Sequence, residues 1–130
     1  MLTRALVVDD EMIMRELIES ILVSDGYRVK LASGGGQAIE MLGQETFDVV
    51  ITDLEMGSIS GIDVIRTSKM LDRSRIVIVI TGNNDVLNVI RAFRSGADDY
   101  ILKPFTAKHL LKRVYLQTEK YASRLVTHWD

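Results

Sequence analysis

Residues 76–80 read Ile-Val-Ile-Val-Ile, residues 49–52 read Val-Val-Ile-Thr, and residues 5–8 read Ala-Leu-Val-Val. These three runs decide the fold class. They are almost wholly apolar and rich in β-branched side chains, without the apolar–polar alternation of a strand that has one wet face. Such runs read as central strands buried on both faces, as in a parallel sheet. Working outward from them, the strand-like stretches are Ala5–Val8, Arg28–Ala32, Asp48–Thr52, Ile76–Ile80 and Tyr100–Leu102.

Longer amphipathic stretches lie between and after these runs. Met12–Asp25 places Ile13, Leu17, Ile18, Ile21 and Leu22 on one side, and Gly26 offers a helix stop. Gln37–Leu42 reads as a short second helix ending at Gly43, Ile62–Leu71 as a third, and Asn84–Ser95 as a fourth ending at Gly96. A fifth opens after Thr106, a candidate N-cap, and runs from Ala107 to near Leu125. Strand and helix alternate throughout, which implies an α/β parallel sheet with helices on both faces.

Composition narrows the function by exclusion. The chain has 130 residues, enough for one domain, and no Cys, so there is no disulfide framework, thiolate metal site or cysteine nucleophile. A formal net charge of −2 argues against direct nucleic-acid binding. No apolar run approaches the roughly 20 residues of a membrane span. The first apolar run ends in Asp9, Asp10 and Glu11, unlike a secretory signal. The chain is therefore expected to be cytoplasmic, without membrane partners.

The reactive side chains follow the strand runs. Asp9 and Asp10 follow the first, Asp53 the third, Thr81 the fourth and Lys103 the fifth. The forward ends of parallel strands share one edge, where open α/β sheets bind ligands. Residues far apart in sequence thus converge on one rim. Crowded carboxylates repel unless a cation neutralises them, and a small hard divalent ion such as magnesium suits oxygen ligands. A lysine ammonium suits a phosphoryl oxygen, and an Asp carboxylate can itself attack phosphorus. The set has no neighbouring His for a triad and no glycine loop with Lys-Ser/Thr for a nucleotide.

The runs VVDDE at 7–11, VVITDLEM at 49–56, IVIVITG at 76–82 and GADDYILKPF at 96–105 resemble a receiver domain of bacterial two-component response regulators, in the family's order and placement, from about residue 3 to about residue 120. The resemblance implies a single doubly wound, flavodoxin-like sheet of five parallel strands in the order 2-1-3-4-5. It implies that Asp53 accepts a phosphoryl group from a phosphohistidine on a sensor histidine kinase or a histidine phosphotransfer protein. Asp9, Asp10, Asp53 and the backbone carbonyl of Glu55 would bind Mg2+, for which Mn2+ could substitute. Lys103 would contact the phosphoryl group, Thr81 would swing toward it, and Tyr100 would follow by changing rotamer. A cis bond between Lys103 and Pro104 is implied as well.

One departure is clear: Gly57 stands where the family usually has Pro, so the Glu55–Gly61 loop is expected to be looser. Glu55 and Asn83 occupy the two variable positions that tune dephosphorylation in the family. The implied protein is a phosphorylatable signalling switch, which catalyses only its own phosphorylation and dephosphorylation and controls a downstream partner or output domain. Residues 1–122 would form the receiver, and 123–130 the end of the last helix or the stub of a connector. The face formed by the fourth helix, fifth strand and fifth helix would serve a homodimer, with Arg91, Arg94, Asp98, Asp99 and Arg113 as candidate charges.

Two other readings stay open at this level. One is a constitutive binding module that keeps the fold without phosphorylation. The other is a small aspartyl-phosphate phosphatase of the haloacid-dehalogenase type, although that pattern places its nucleophile on an early first strand and needs a cap domain. Several features read as plain structure. Gly34–Gly36 lacks phosphate-loop spacing and reads as a flexible turn. His109 and His128 read as surface residues, and Arg73 and Arg75 as a solvated turn. Met12, Met14, Met41, Met56 and Met70 read as gap-filling or loop residues. Leu110, Val114, Tyr121 and Leu125 form an apolar stripe on the last helix.

Overall fold

The computed structural model describes residues 3–129, with side chains described as far as Ser123. Strands β1 (Arg4–Val8), β2 (Arg28–Ala32), β3 (Val49–Thr52), β4 (Ile76–Thr81) and β5 (Asp99–Leu102) alternate with helices α1 (Met12–Ser24), α2 (Gly35–Gln44), α3 (Gly61–Leu71), α4 (Val86–Ser95) and α5 (Ala107–Trp129). The strands form one five-stranded parallel sheet in the order β2-β1-β3-β4-β5. Fold class and strand order are as expected, and the Lys103–Pro104 bond is cis.

The unbroken apolar runs have a direct cause. Successive strand residues point to opposite faces, and here both faces are covered. Leu6, Val8, Val50, Val77 and Val79 pack under Ala38, Leu42, Ile65 and Ala92, from α2, α3 and α4. Ala5, Val7, Val49, Ile51, Ile76, Ile78 and Ile80 pack against Ile18, Leu22, Leu110 and Val114, from α1 and α5. Edge strand β2 alternates instead, leaving Arg28 and Lys30 exposed, as a charged edge that discourages pairing with other chains.

Three readings change. Ile13 and Leu17 are 79% and 45% exposed; the buried face of α1 is Ile18, Ile21 and Leu22, with Met14 partly buried. The stripe at 14, 18, 21 and 22 follows the 3.6-residue period, and 13 and 17 lie beside it. Helix α2 runs through Gly43 to Gln44, and its first turn takes in Gly35 and Gly36. Arg75 is buried rather than solvated, with Nε donating to the Phe47 carbonyl at 3.0 Å.

The helix boundaries show the capping chemistry. The Asp85 carboxylate accepts from the Leu87 N–H at the start of α4, and Gly96 ends that helix with φ of 120°. Thr106 Oγ1 accepts from the His109 N–H, as an N-cap should. Tyr121 is partly buried in the stripe with Leu110 and Val114, and His109 is exposed. The Leu125 and His128 side chains lie outside the described residues, as does residue 130 of the expected connector.

Candidate functional site

Register places the chemistry. Val8 pairs with Thr52, Thr52 with Val79, and Thr81 with Leu102. The residues after β1, β3 and β5 are therefore Asp9, Asp53 and Lys103, side by side on one sheet edge. Asp10, Glu11, Asp53, Glu55, Thr81, Gly82, Asn83 and Lys103 line one cleft there. Carboxylate oxygens of Asp9, Asp10 and Asp53 all lie within 4.8 Å of one another.

Lys103 sits between two of these acids. Its Nζ donates to Asp9 Oδ2 and to Asp53 Oδ2, each at 2.9 Å. Glu11 stands farther off, at 3.8 Å, and is exposed. Burial by itself would lower the Lys103 pKa. The hydrogen bonds and charges of Asp53 and Asp9 outweigh it, so the ammonium is held above its ordinary value. Asp9 and Asp53 are 2% and 7% exposed. Two buried carboxylates and exposed Asp10 thus face one ammonium, and negative charge remains in excess. That donor set fits a hard divalent cation held by oxygen.

Asp53 is aimed by its backbone surroundings. Its Oδ1 accepts from the Leu54 N–H at 2.7 Å, with the Glu55 N–H at 3.4 Å. Asp9 Oδ1 accepts from the Glu11 N–H at 2.9 Å. Arg15 of α1, which sequence reasoning did not single out, donates from Nη1 to the Asp9 carbonyl at 2.8 Å. Nothing in its spacing marks it, because an arginine on a helix is usually a solvated charge.

The fourth strand contributes buried Thr81, whose Oγ1 accepts from the Asn83 N–H at 3.3 Å. Asn83 also donates from Nδ2 to Glu55 Oε1 at 2.5 Å, accepts the Asp85 N–H through Oδ1, and accepts the Tyr100 hydroxyl through its carbonyl. The two positions singled out as variable, Glu55 and Asn83, therefore touch each other across the cleft. Burial, with the nearby carboxylates of Asp53, Glu55 and Asp85, raises the Tyr100 pKa above its ordinary value, so the hydroxyl keeps its proton.

The charges expected on the α4-β5-α5 face are in part used internally. Asp98 pairs with Lys69 of α3 at 2.7 Å. Buried Asp99 pairs with Arg113 Nη2 of α5 at 2.6 Å and accepts from Gln117. Sequence gives no sign of either partner. Arg91 and Arg94 are exposed. The named methionines scatter from buried Met56 to Met70 at 78% exposure, so they form no ligand cluster.

Known proteins share this fold and sequence pattern. The family described as the response regulator receiver domain matches residues 5–115. The DNA-binding response regulator MtrA of Mycolicibacterium paratuberculosis is 35% identical over 111 residues, covering 85% of this chain and 49% of that protein. The transcriptional regulatory protein ZraR of Klebsiella oxytoca is 36% identical over 99 residues, covering 76% of this chain and 22% of that protein. A CheY-like receiver domain protein from Methanospirillum hungatei superposes with a TM-score of 0.91 at 25% identity, covering 95% of this chain and 99% of that one.

The chain spans about half the length of MtrA. The expectation of no direct nucleic-acid binding is overturned by that relative, which is by name a DNA-binding regulator. A net charge of −2 describes these 130 residues alone, and half of such a protein lies beyond the stretch being counted. No helix among the described residues is long and apolar enough to cross a membrane.

Proposed function

Because this chain belongs to the response regulator receiver family, we propose that it takes a phosphoryl group from a partner phosphohistidine onto Asp53. The observation that carries the reading is the placement of Lys103 Nζ at 2.9 Å from both Asp9 and Asp53, with Asp10 in the same carboxylate group.

In the proposed step an Asp53 carboxylate oxygen attacks phosphorus. The P–N bond to the donor imidazole breaks as the O–P bond forms, leaving an acyl phosphate on Asp53. Leu54 and Glu55 N–H groups orient the carboxylate. Lys103 moves its hydrogen bonding from the Asp53 oxygen to the phosphoryl oxygens, which carry more negative charge. Asp9, Asp10, Asp53 and the Glu55 carbonyl would hold Mg2+, or Mn2+ of the same charge and oxygen preference, which when bound supplies positive charge to the transferring group. Reversal by water would end the signal slowly, so the protein acts as a switch rather than a turnover enzyme.

Thr81 and Tyr100 serve the readout. Both hydrogen-bond Asn83, so a Thr81 hydroxyl drawn to a phosphoryl oxygen loosens the loop that Tyr100 holds and that leads into the Asp85 cap of α4. This is a local charge change biasing a two-state element. Residues 1–122 constitute the receiver, working in the cytoplasm on an output that, as the name of MtrA says of that protein, binds DNA.

The test is intact-mass measurement after incubation with a small-molecule phosphodonor, with and without magnesium, beside Asp53→Asn. One phosphoryl adduct that requires both magnesium and Asp53 is the expected result. An adduct of equal yield on Asp53→Asn would overturn the assignment.

A further inference from the structure

Gly35 and Gly36 line no part of the cleft and belong to α2 rather than to a turn. Gly35 is buried in the first turn of α2. A Cβ built on it would lie 2.6 Å from the Ile59 carbonyl oxygen and 2.7 Å from Ile59 Cγ2, and one on Gly36 would meet Ile59 Cδ1 at 3.5 Å. Only a residue without a side chain lets Ile59 approach so closely. Ile59 belongs to the loop between β3 and α3, the same loop that presents Leu54 and Glu55 to the Asp53 carboxylate.

The far end of the loop is held in the same manner. A Cβ on Gly61 would lie 1.9 Å from the Asp53 carbonyl oxygen and 2.7 Å from Leu54 Cα, and the Gly61 N–H donates to the Leu54 carbonyl. Gly57, in the stretch from Leu54 to Ile59, has φ of 64°. The proline ring that the family usually carries there fixes φ near −65°, so it does not fit this backbone. The loop lacks the stiffness of that ring and is shaped by what packs against it.

We propose that Ile59 seated on Gly35 is a latch that positions the phosphoacceptor loop, setting where the Glu55 carbonyl and the Leu54 and Glu55 N–H groups stand around Asp53. Gly35 and Ile59 are positioning residues, since neither lines the cleft. Their consequence for phosphorylation rests on the function proposed above, but the latch itself does not.

The experiment uses the full chain with Ile59→Ala, Ile59→Val and Gly35→Ala. Amide hydrogen exchange without metal is the first readout. In Ile59→Ala and Gly35→Ala, the hydrogen-bonded loop amides 54, 55 and 61 are expected to exchange about tenfold faster while those of β1, β3 and β4 keep the wild-type rate. Ile59→Val, which keeps the branched contact, should restore slow exchange. The second readout is the magnesium dependence of phosphoryl uptake: half-saturation should rise about tenfold in Ile59→Ala, as for lost support of a metal ligand, with the saturated rate unchanged. Unchanged loop exchange would sink the latch, as would acceleration shared equally with the sheet, which marks general destabilisation. A wild-type chain that takes no phosphoryl group refutes the proposed function, and the exchange readout still decides the latch.

Discussion

The two edges of the sheet both carry ionised groups, and they use them in opposite ways. At the edge where strands begin, the carboxylates are matched, while buried Arg75 leaves its Nη1 without a partner. Asp48 Oδ2 accepts from the Thr3 and Arg4 N–H groups at 2.9 Å each. Asp98 Oδ2 accepts from Lys69 and from the Val77 N–H. Lys69 also donates to the Arg75 carbonyl, and Arg4 pairs with Glu45 while lying over the Phe47 ring. At the edge where strands end, three carboxylates gather beside one ammonium. Paired charges fix the strand starts in place. The like charges left over at the strand ends are a binding potential for a cation. Carboxylates gathered in excess of the cations beside them, not a lone buried charge, mark the candidate site.

Substitutions at the two edges should separate chemistry from stability. The largest effect belongs to Asp53→Asn: phosphoryl uptake falls below detection by intact mass, while the fold, judged by circular dichroism, is retained. Next comes Lys103→Met. It leaves Asp9 and Asp53 facing each other without a cation, so uptake should slow about a hundredfold and unfolding should become about 3 kcal/mol easier. Added magnesium should raise the melting temperature of this variant more than that of the wild type, and an equal rise in both would break the comparison.

At the opposite edge, Asp98→Ala removes the acceptor shared by Lys69 and the Val77 N–H. Urea unfolding should show a loss of about 2 kcal/mol, with the rate of phosphoryl uptake unchanged. Arg75→Met should matter less. Burial lowers the Arg75 pKa, and its Nη1 is buried without a hydrogen-bond partner. An apolar chain of similar length loses the bond to the Phe47 carbonyl but relieves that group, for a net change within about 1 kcal/mol. A large loss would show that this edge, too, depends on an unneutralised charge.

The smallest effect is on pH dependence. Lys103 and Tyr100 are both held above their ordinary values of 10.5 and 10.0. The folded chain therefore binds these protons more tightly than the unfolded one. Their stabilising contribution is complete below the ordinary values and is lost as pH rises through the higher folded ones. Equilibrium unfolding should show no dependence on these groups near neutrality and a decline above about pH 10. A decline beginning near neutral pH would contradict the Lys103 placement.

Much of this was legible from residue order. The apolar runs at 5–8, 49–52 and 76–80 announced strands buried on both faces. Asp9, Asp10, Asp53, Thr81 and Lys103 announced themselves by following strands. What escaped were side chains whose partners lie on other elements. Arg75 reads as a turn charge until Phe47 is beside it. Asp99 and Arg113 read as surface charges until β5 and α5 pack together. The exposed Ile13 and Leu17 show the same limit from the other side, because periodicity defines a stripe but not its width.

The sequence by itself determined the architecture and the membership of the acidic cleft, because burial on two faces dictates unbroken apolar runs and parallel strands bring their ends to one edge. Only the tertiary structure decided how that cleft is held: which acids Lys103 joins, how Asn83 ties Glu55 to Thr81 and Tyr100, and why glycines occupy 35 and 61. Those outcomes depend on close approaches between segments far apart in the chain. An atom's distance from a backbone many residues away has no signature in local residue order, because it arises only once the sheet has brought the two together.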